Sequence, residues 1–169
     1  ERSDRWTGVS QGQAQYACNS LGAGYHLIGE NEWLTLAENI LQVNENNLAS
    51  STHSASSGQA ALKLTNDNII NNLTGEIAQW TNQNVTSAGL PVTPSRDAWY
   101  EYNEVADFKG LELAPAYYLT DANNHIGKIY VGSAPGLKGF VRGANGIYGL
   151  DLSRAPSEQS ANIGFRCAK

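Results

Sequence analysis

Helix-patterned sequence fills the first quarter of this chain, and short punctuated β-like runs fill the last part, so the two kinds of structure are segregated rather than alternating. Segregation of this kind belongs to the α+β class. Residues 10–21 begin with Ser10 and Gln13 at the S-x-x-Q spacing of a capping box. Ala14, Ala17, Cys18 and Leu21 follow at i, i+3, i+4 and i+7, one apolar stripe along a helix. Gly22 and Gly24 then stop it. A second helix is expected over 30–43, with Trp33, Leu36, Ala37, Ile40 and Leu41 on its apolar face. Glu30 and Glu32 fall in its first turn, where the helix dipole favours negative charge. Periodicity is lost over 44–65, and the run from Ser50 to Gly58 reads as a long loop. A turn followed by Ile77 and Trp80 marks 71–84. Beyond Trp99, runs at 99–102, 117–120, 128–131, 139–142, 147–153 and 163–167 are separated by Gly, Pro, Asn and Ser. They read as antiparallel strands joined by turns.

Composition narrows the chemistry. The 169 residues suit a single domain, 1–169, with neither an internal repeat nor a linker. Met is absent, even at position 1, which is expected of a processed form or of the C-terminal part of a longer chain. No apolar run is long enough to span a membrane. The net charge of −5, without a Lys/Arg cluster, argues against a nucleic-acid partner. The two cysteines stand at opposite ends, and His26, His53 and His125 have no metal-ligand spacing, so Cys and His offer no zinc site. Neither a P-loop nor a dinucleotide-binding glycine pattern occurs. No cofactor is expected.

Several features have both a bland and a functional reading. Glu101, Glu104 and Asp107 near Asn103 could offer oxygen ligands to calcium, but their spacing fits no twelve-residue calcium loop, and a solvated acidic edge is favoured. Trp99, Tyr100, Tyr102, Tyr117, Tyr118 and Tyr130 concentrate aromatic surface, for which core and cross-strand packing is the favoured reading. Asn72-Leu73-Thr74 and Asn84-Val85-Thr86 match the N-glycosylation pattern, which is short enough to arise by chance. In Leu150-Asp151-Leu152-Ser153, alternation sends the leucines inward and Asp151 and Ser153 outward. Ile163, Phe165 and Cys167 alternate in the same way, and Glu158 to Asn162 is a polar loop between the two runs.

Three stretches carry a family resemblance. Gln15 to Gly22 followed by Glu32-Trp33, then Leu73 to Trp80, and finally Ala161-Asn162-Ile163-Gly164-Phe165-Arg166-Cys167-Ala168 resemble, in order, segments of the formylglycine-generating-enzyme (sulfatase-modifying factor) superfamily. The resemblance implies a C-type-lectin-like fold: two helices around a small twisted antiparallel sheet with long loops. Over 140–169, Phe140-Val141-Arg142-Gly143, Gly146 to Ser157 and Ile163 to Lys169 are similar to the variable region of diversity-generating-retroelement target proteins. The stretch between Arg142-Gly143 and Gly146-Ile147 is shorter than is usual there.

By this resemblance, Asn145, Tyr148, Asp151, Ser153, Arg154, Glu158, Gln159, Ser160, Ala161 and Asn162 are the substituted, ligand-binding positions, with Arg154 and Tyr148 as candidate anchors. The implied function is non-catalytic binding of a protein or cell-surface ligand through a hypervariable face. The implied location is extracellular, on a cell or on a virion. Folds of this type often tie the first helix to the last strand, so Cys18 and Cys167 either pair or stay as two buried thiols. Superfamily oxidases use a cysteine pair near the stretch matching 142–149, which holds no cysteine here. No His cluster of the kind used by the related iron enzymes is visible, and the calcium-lectin Glu-Pro-Asn and Gln-Pro-Asp motifs are absent. The alternatives are a divergent oxidoreductase of that superfamily and a fixed binding domain such as a tail-fibre tip.

Overall fold

The computed structural model describes residues 6–48, 61–75, 77–102 and 127–169. The expected loop at 50–58, the run at 117–120, and His53, Asn103, Glu104, Asp107 and His125 lie outside them. The first helix, α1, spans Gln11–Asn19 and opens with the capping box that the sequence predicts. Ser10 Oγ accepts the Gln13 N–H, and the Gln13 side chain accepts the Ser10 N–H. Its buried face is narrower than expected: Gln11, Ala14 and Cys18 are covered. Leu21, beyond the end of the helix, is exposed. The helix α2 spans Glu30–Leu41 and buries Trp33, Leu34, Ala37 and Ile40, with Leu36 and Leu41 partly covered. Glu32 reaches back to accept the Gly29 N–H at 2.7 Å, satisfying one of the free donors at the helix start.

Ten short strands accompany the helices among the described residues: β1 His26–Leu27, β2 Ala61–Lys63, β3 Ile69–Asn71, β4 Ala78–Thr86, β5 Trp99–Glu101, β6 Lys128–Val131, β7 Leu137–Gly143, β8 Gly146–Leu152, β9 Ile163–Phe165 and β10 Cys167–Ala168. Six of them form one sheet in the order β5-β6-β8-β7-β4-β9, while β1 pairs with β10 and β2 with β3. The described residues therefore form a mixed α+β structure with two α-helices and a largely β body.

Three expectations are corrected. The main sheet is mixed rather than antiparallel, because β6 runs parallel to β8 and β4 parallel to β9. The cause is connectivity: β8 folds back between β6 and β7, and the chain after β8 crosses a loop before joining the far edge at β4. The aperiodic stretch 44–65 ends in a strand, since Ala61, Leu62 and Lys63 pair with Asn71, Ile70 and Ile69. Finally, 71–84, expected only to carry a turn ahead of Ile77 and Trp80, holds most of β4, the longest strand among the described residues.

A bulge in β4 shifts its register against β7 between Trp80 and Asn84. The buried Gln11 amide of α1 donates to the Thr81 and Gln83 carbonyls there, at 2.7 and 3.0 Å. Among the described residues the core lies in three clusters. One joins α2 to the β7–β8 turn through Trp33, Ile147 and Tyr148. A second lies on one face of the sheet, with Ile129, Val131, Phe140, Leu150 and Leu152. The third packs α1 against Trp80, Val141 and Ile163. Cys18 and Cys167 are bonded, with their Cα atoms 5.3 Å apart, so the disulfide ties α1 to the last strand.

An ion pair is sealed inside this core. Arg142 of β7 donates to Glu30 Oε2 through Nε at 2.9 Å and Nη2 at 2.6 Å, and both side chains are fully buried. Thr81 Oγ1 donates to Glu30 Oε1, and Arg142 Nη1 donates to the Tyr148 carbonyl at 2.6 Å. Glu30 thus sits at the start of α2, as the dipole argument expects, but turns inward to join α2, β4, β7 and β8.

Candidate binding face

Residues 151–162 leave β8, turn at 155–158 and run back to β9. The backbone of this segment is held at several points along its length. The Ser153 carbonyl accepts from Lys138 Nζ at 2.9 Å, and the Arg154 carbonyl from the Gly139 N–H at 2.9 Å. The Pro156 carbonyl accepts the Gln11 N–H at 3.0 Å, one of the donors left free at the start of α1. The Ser160 carbonyl takes the N–H groups of Gly8 and Ile163, both at 3.0 Å, and the Asn162 carbonyl takes that of Ala78 at 3.0 Å. These bonds use main-chain atoms of the loop, so they do not depend on which side chains it carries.

The side chains face outward from this frame. Asp151, Ser153, Arg154, Glu158 and Ser160 are half-buried, while Gln159, Ala161 and Asn162 are exposed. Asp151 Oδ1 accepts the Ser153 N–H at 2.8 Å. Arg154 Nη1 donates to Glu158 Oε1 at 2.5 Å, and its Nε lies 3.7 Å from Asp151 Oδ2. The hydrogen bond to Glu158 is the main reason that the Arg154 guanidinium holds its proton more firmly than usual. Asp151, Arg154, Ser160 and Asn162 converge on one concavity of about 130 Å³. That volume accepts one side chain of a partner rather than a whole small molecule.

Two of the predicted positions fall elsewhere. Tyr148 is 1 % exposed and packs in the α2 cluster, so it is not a surface anchor. The reason lies in the register: Gly143 pairs with Gly146 but the adjacent Arg142 pairs with Leu150, so 147–149 loop out of the ladder toward α2. The carbonyls of Ile147 and Tyr148 are fastened there by Trp33 Nε1 and Arg142. Asn145 is half-buried in the turn, its backbone folded onto Gly149, where a Cβ would come 2.7 Å from the Asn145 carbonyl oxygen. Ala144, not Asn145, lines the concavity.

The structure adds two residues to the face. Trp99 pairs with Tyr130, Tyr130 with Asp151, and Asp151 with Val141, so the four stand in one cross-strand row and share a face. Val141 is covered in the α1 cluster, whereas Asp151, Tyr130 and Trp99 are half-buried. The two rings meet edge to face at 5.6 Å. Alternation supplied a signal for them, since Ile129 and Val131 point into the core and leave Tyr130 on the other face. Tyr102, by contrast, is buried in the core, as expected for these aromatics.

Gly8-Val9-Ser10-Gln11-Gly12 has the G-x-S-x-G spacing of a hydrolase nucleophile elbow. In the structure Ser10 is the helix cap of α1, with its hydroxyl committed to the Gln13 N–H. His26 is engaged with Glu32 at 3.0 Å and with the Gly24 carbonyl at 3.0 Å. Compared with family models, with curated proteins and with solved structures, the chain matches none of them.

Proposed function

We propose that this chain is a non-catalytic binding module with a C-type-lectin-like fold, a variable protein of a diversity-generating retroelement. Its face is built from Asp151, Ser153, Arg154, Glu158, Gln159, Ser160, Ala161 and Asn162, extended by Trp99 and Tyr130. One observation carries the reading: main-chain bonds to α1, β4 and β7 hold the 153–162 loop while its side chains point outward. A site whose side chains are rewritten needs a backbone fixed by atoms that every residue possesses. The disulfide supports a place outside the reducing cytoplasm, on a cell or virion surface. It also engages both cysteines of the chain, which speaks against thiol chemistry of the superfamily's oxidase type.

The test is to sequence the 3′ end of this gene and its neighbouring DNA across the source population. Substitutions confined to the loop codons, with matching adenines in a nearby template copy, are the expected result. An invariant 3′ end without a template overturns the reading in favour of a fixed binder. A library randomised at 158–162 supplies a second arm. Most members should fold and melt near the parent, and general loss of folding would refute a loop held by its backbone.

A further inference from the structure

A separate concavity of about 360 Å³ opens beside β9 at the opposite edge of the sheet from β5. Its volume lies in the range of small-molecule sites. One wall is aromatic: Trp6, 64 % exposed, meets Phe165 edge to face at 5.3 Å. The Trp6 backbone is seated closely on β9, since a Cβ at Gly164 would come 3.1 Å from the Trp6 carbonyl oxygen. The indole is therefore held at the mouth although it is exposed.

The polar side of the cavity is Arg166. Its Nη2 donates to the Asn71 carbonyl at 2.6 Å and its Nε to Gln79 Oε1 at 3.3 Å. Gln79 is itself buried and oriented by donating to the Asn72 carbonyl at 2.6 Å. Two neutral acceptors thus fix the guanidinium in direction without neutralising it. No carboxylate among the described residues lies within ion-pair distance of Arg166. Burial pulls its pKa below the ordinary value, the opposite of what an acidic neighbour would do. A half-buried cation with no counter-ion among the described residues, beside an aromatic wall, is an arrangement completed by an anion.

We propose that this concavity binds a small carboxylic acid whose carboxylate meets Arg166 and whose ring lies on the Trp6 indole. The planar guanidinium suits a carboxylate. The indole offers a flat apolar surface to an aromatic ring or to the C–H face of a sugar. An acidic sugar and an aromatic acid share this chemistry, and the experiment separates them. The site shares no side chain with the 151–162 face, so it stands whether or not that loop is diversified.

Calorimetric titration of the full chain with galacturonate, benzoate, galactose and acetate is the test. At least one of the two ring acids should saturate with a Kd of about 1 mM or below, and galactose and acetate should not. Arg166→Gln should weaken the binding by about tenfold or more, as expected when a charge-assisted bond is lost. Trp6→Ala, at an exposed side chain outside the core clusters, should weaken it several-fold and leave the melting temperature in place. It keeps the test intact if Arg166→Gln does not fold. Absence of binding by both ring acids, equal binding of galactose, or affinity unchanged in Trp6→Ala overturns the proposal.

Discussion

Removing Arg142 should be among the most damaging single changes available to this protein. Its guanidinium makes two hydrogen bonds to Glu30 Oε2 and one to the Tyr148 carbonyl, and neither charged side chain has any exposure. Arg142→Met fills similar volume but leaves the Glu30 carboxylate buried with the Thr81 hydroxyl beside it. Breaking a buried pair from one side costs about 3–5 kcal/mol. For a chain of this size that lowers the melting temperature by roughly 6–20 °C. Glu30→Leu removes the carboxylate that Arg142 Nε and Nη2 face and should cost a similar amount. The double variant Glu30→Leu/Arg142→Met removes both charges together. It still leaves the Tyr148 carbonyl and the Thr81 hydroxyl to find new partners, at about 1–3 kcal/mol each. The double variant should therefore be more stable than the sum of the two losses predicts, by at least about 2 kcal/mol. Urea unfolding followed by the fluorescence of the buried Trp33 and Trp80 measures all four corners of the cycle. Single variants within about 1 kcal/mol of the parent, or strictly additive losses, would refute the sealed pair that joins α2 to the sheet.

Three further outcomes follow from particular contacts. Reducing the Cys18–Cys167 bond, which closes 149 residues of sequence separation, should destabilise the fold by about 5 kcal/mol in the chain-entropy model, read as a lower melting point in dithiothreitol. An unchanged melting point would mean that the bond does not form. Gly143 has φ of +84°, and a Cβ there would lie 2.6 Å from the Leu73 carbonyl oxygen. Gly143→Ala should cost at least about 1–3 kcal/mol, and wild-type stability would contradict the register jump after Arg142. The Gly24 carbonyl and then the Glu32 carboxylate raise the His26 pKa above 6.5. The stabilisation from protonated His26 is thus complete below the unfolded-state pKa and is lost as pH rises through the folded one. NMR titration should give a midpoint above 6.5, and the stability decline above that pH should be absent in His26→Gln. A midpoint below 6.5 would sink the contact.

What the sequence made legible was local. Ser10 and Gln13 act within one turn of each other, so the start of α1 could be read directly, whereas the helix stops at Asn19, short of Leu21. Leu150 and Leu152 alternate with Asp151 and Ser153, and β8 buries the leucines. What stayed hidden depended on distant partners. Glu30 and Arg142 stand 112 positions apart, and nothing near Glu30 distinguishes a dipole-facing surface carboxylate from a buried one. The strand β4 reads AQWTNQNVT, whose Trp80, Thr81, Val85 and Thr86 are interrupted by Asn and Gln at 82–84 without clean alternation, and β7 and β9 supply it with partners on both sides. The resemblance placed Tyr148 at the surface, but the ladder slips beside it and turns it into the α2 cluster. One slip in register reverses every facing after it. The loop's candidate residues were legible from the resemblance, but the bonds that hold its backbone come from Gly8, Gln11, Ala78, Lys138 and Gly139, scattered through the chain.

On the proposed reading, the face divides into two unequal halves, and the division has a measurable consequence. The loop from 153 to 162 can change its side chains without loosening its backbone. Trp99 and Tyr130 come from β5 and β6, outside the 140–169 region, and so remain the same in every variant. They are large, half-buried and held against each other, which limits the freedom they would lose on contact. Such rings supply a large share of interface energy, whereas polar rim residues mostly choose the partner. Trp99→Ala should therefore weaken binding in many loop variants selected against different protein targets, by about tenfold or more in each. Gln159→Ala or Asn162→Ala should matter only for particular targets. Panning one loop library in the parent and in the Trp99→Ala background, and comparing affinities of the recovered binders, separates the two behaviours. Equal affinities in both backgrounds would confine the face to the loop and leave the aromatic pair a purely structural role.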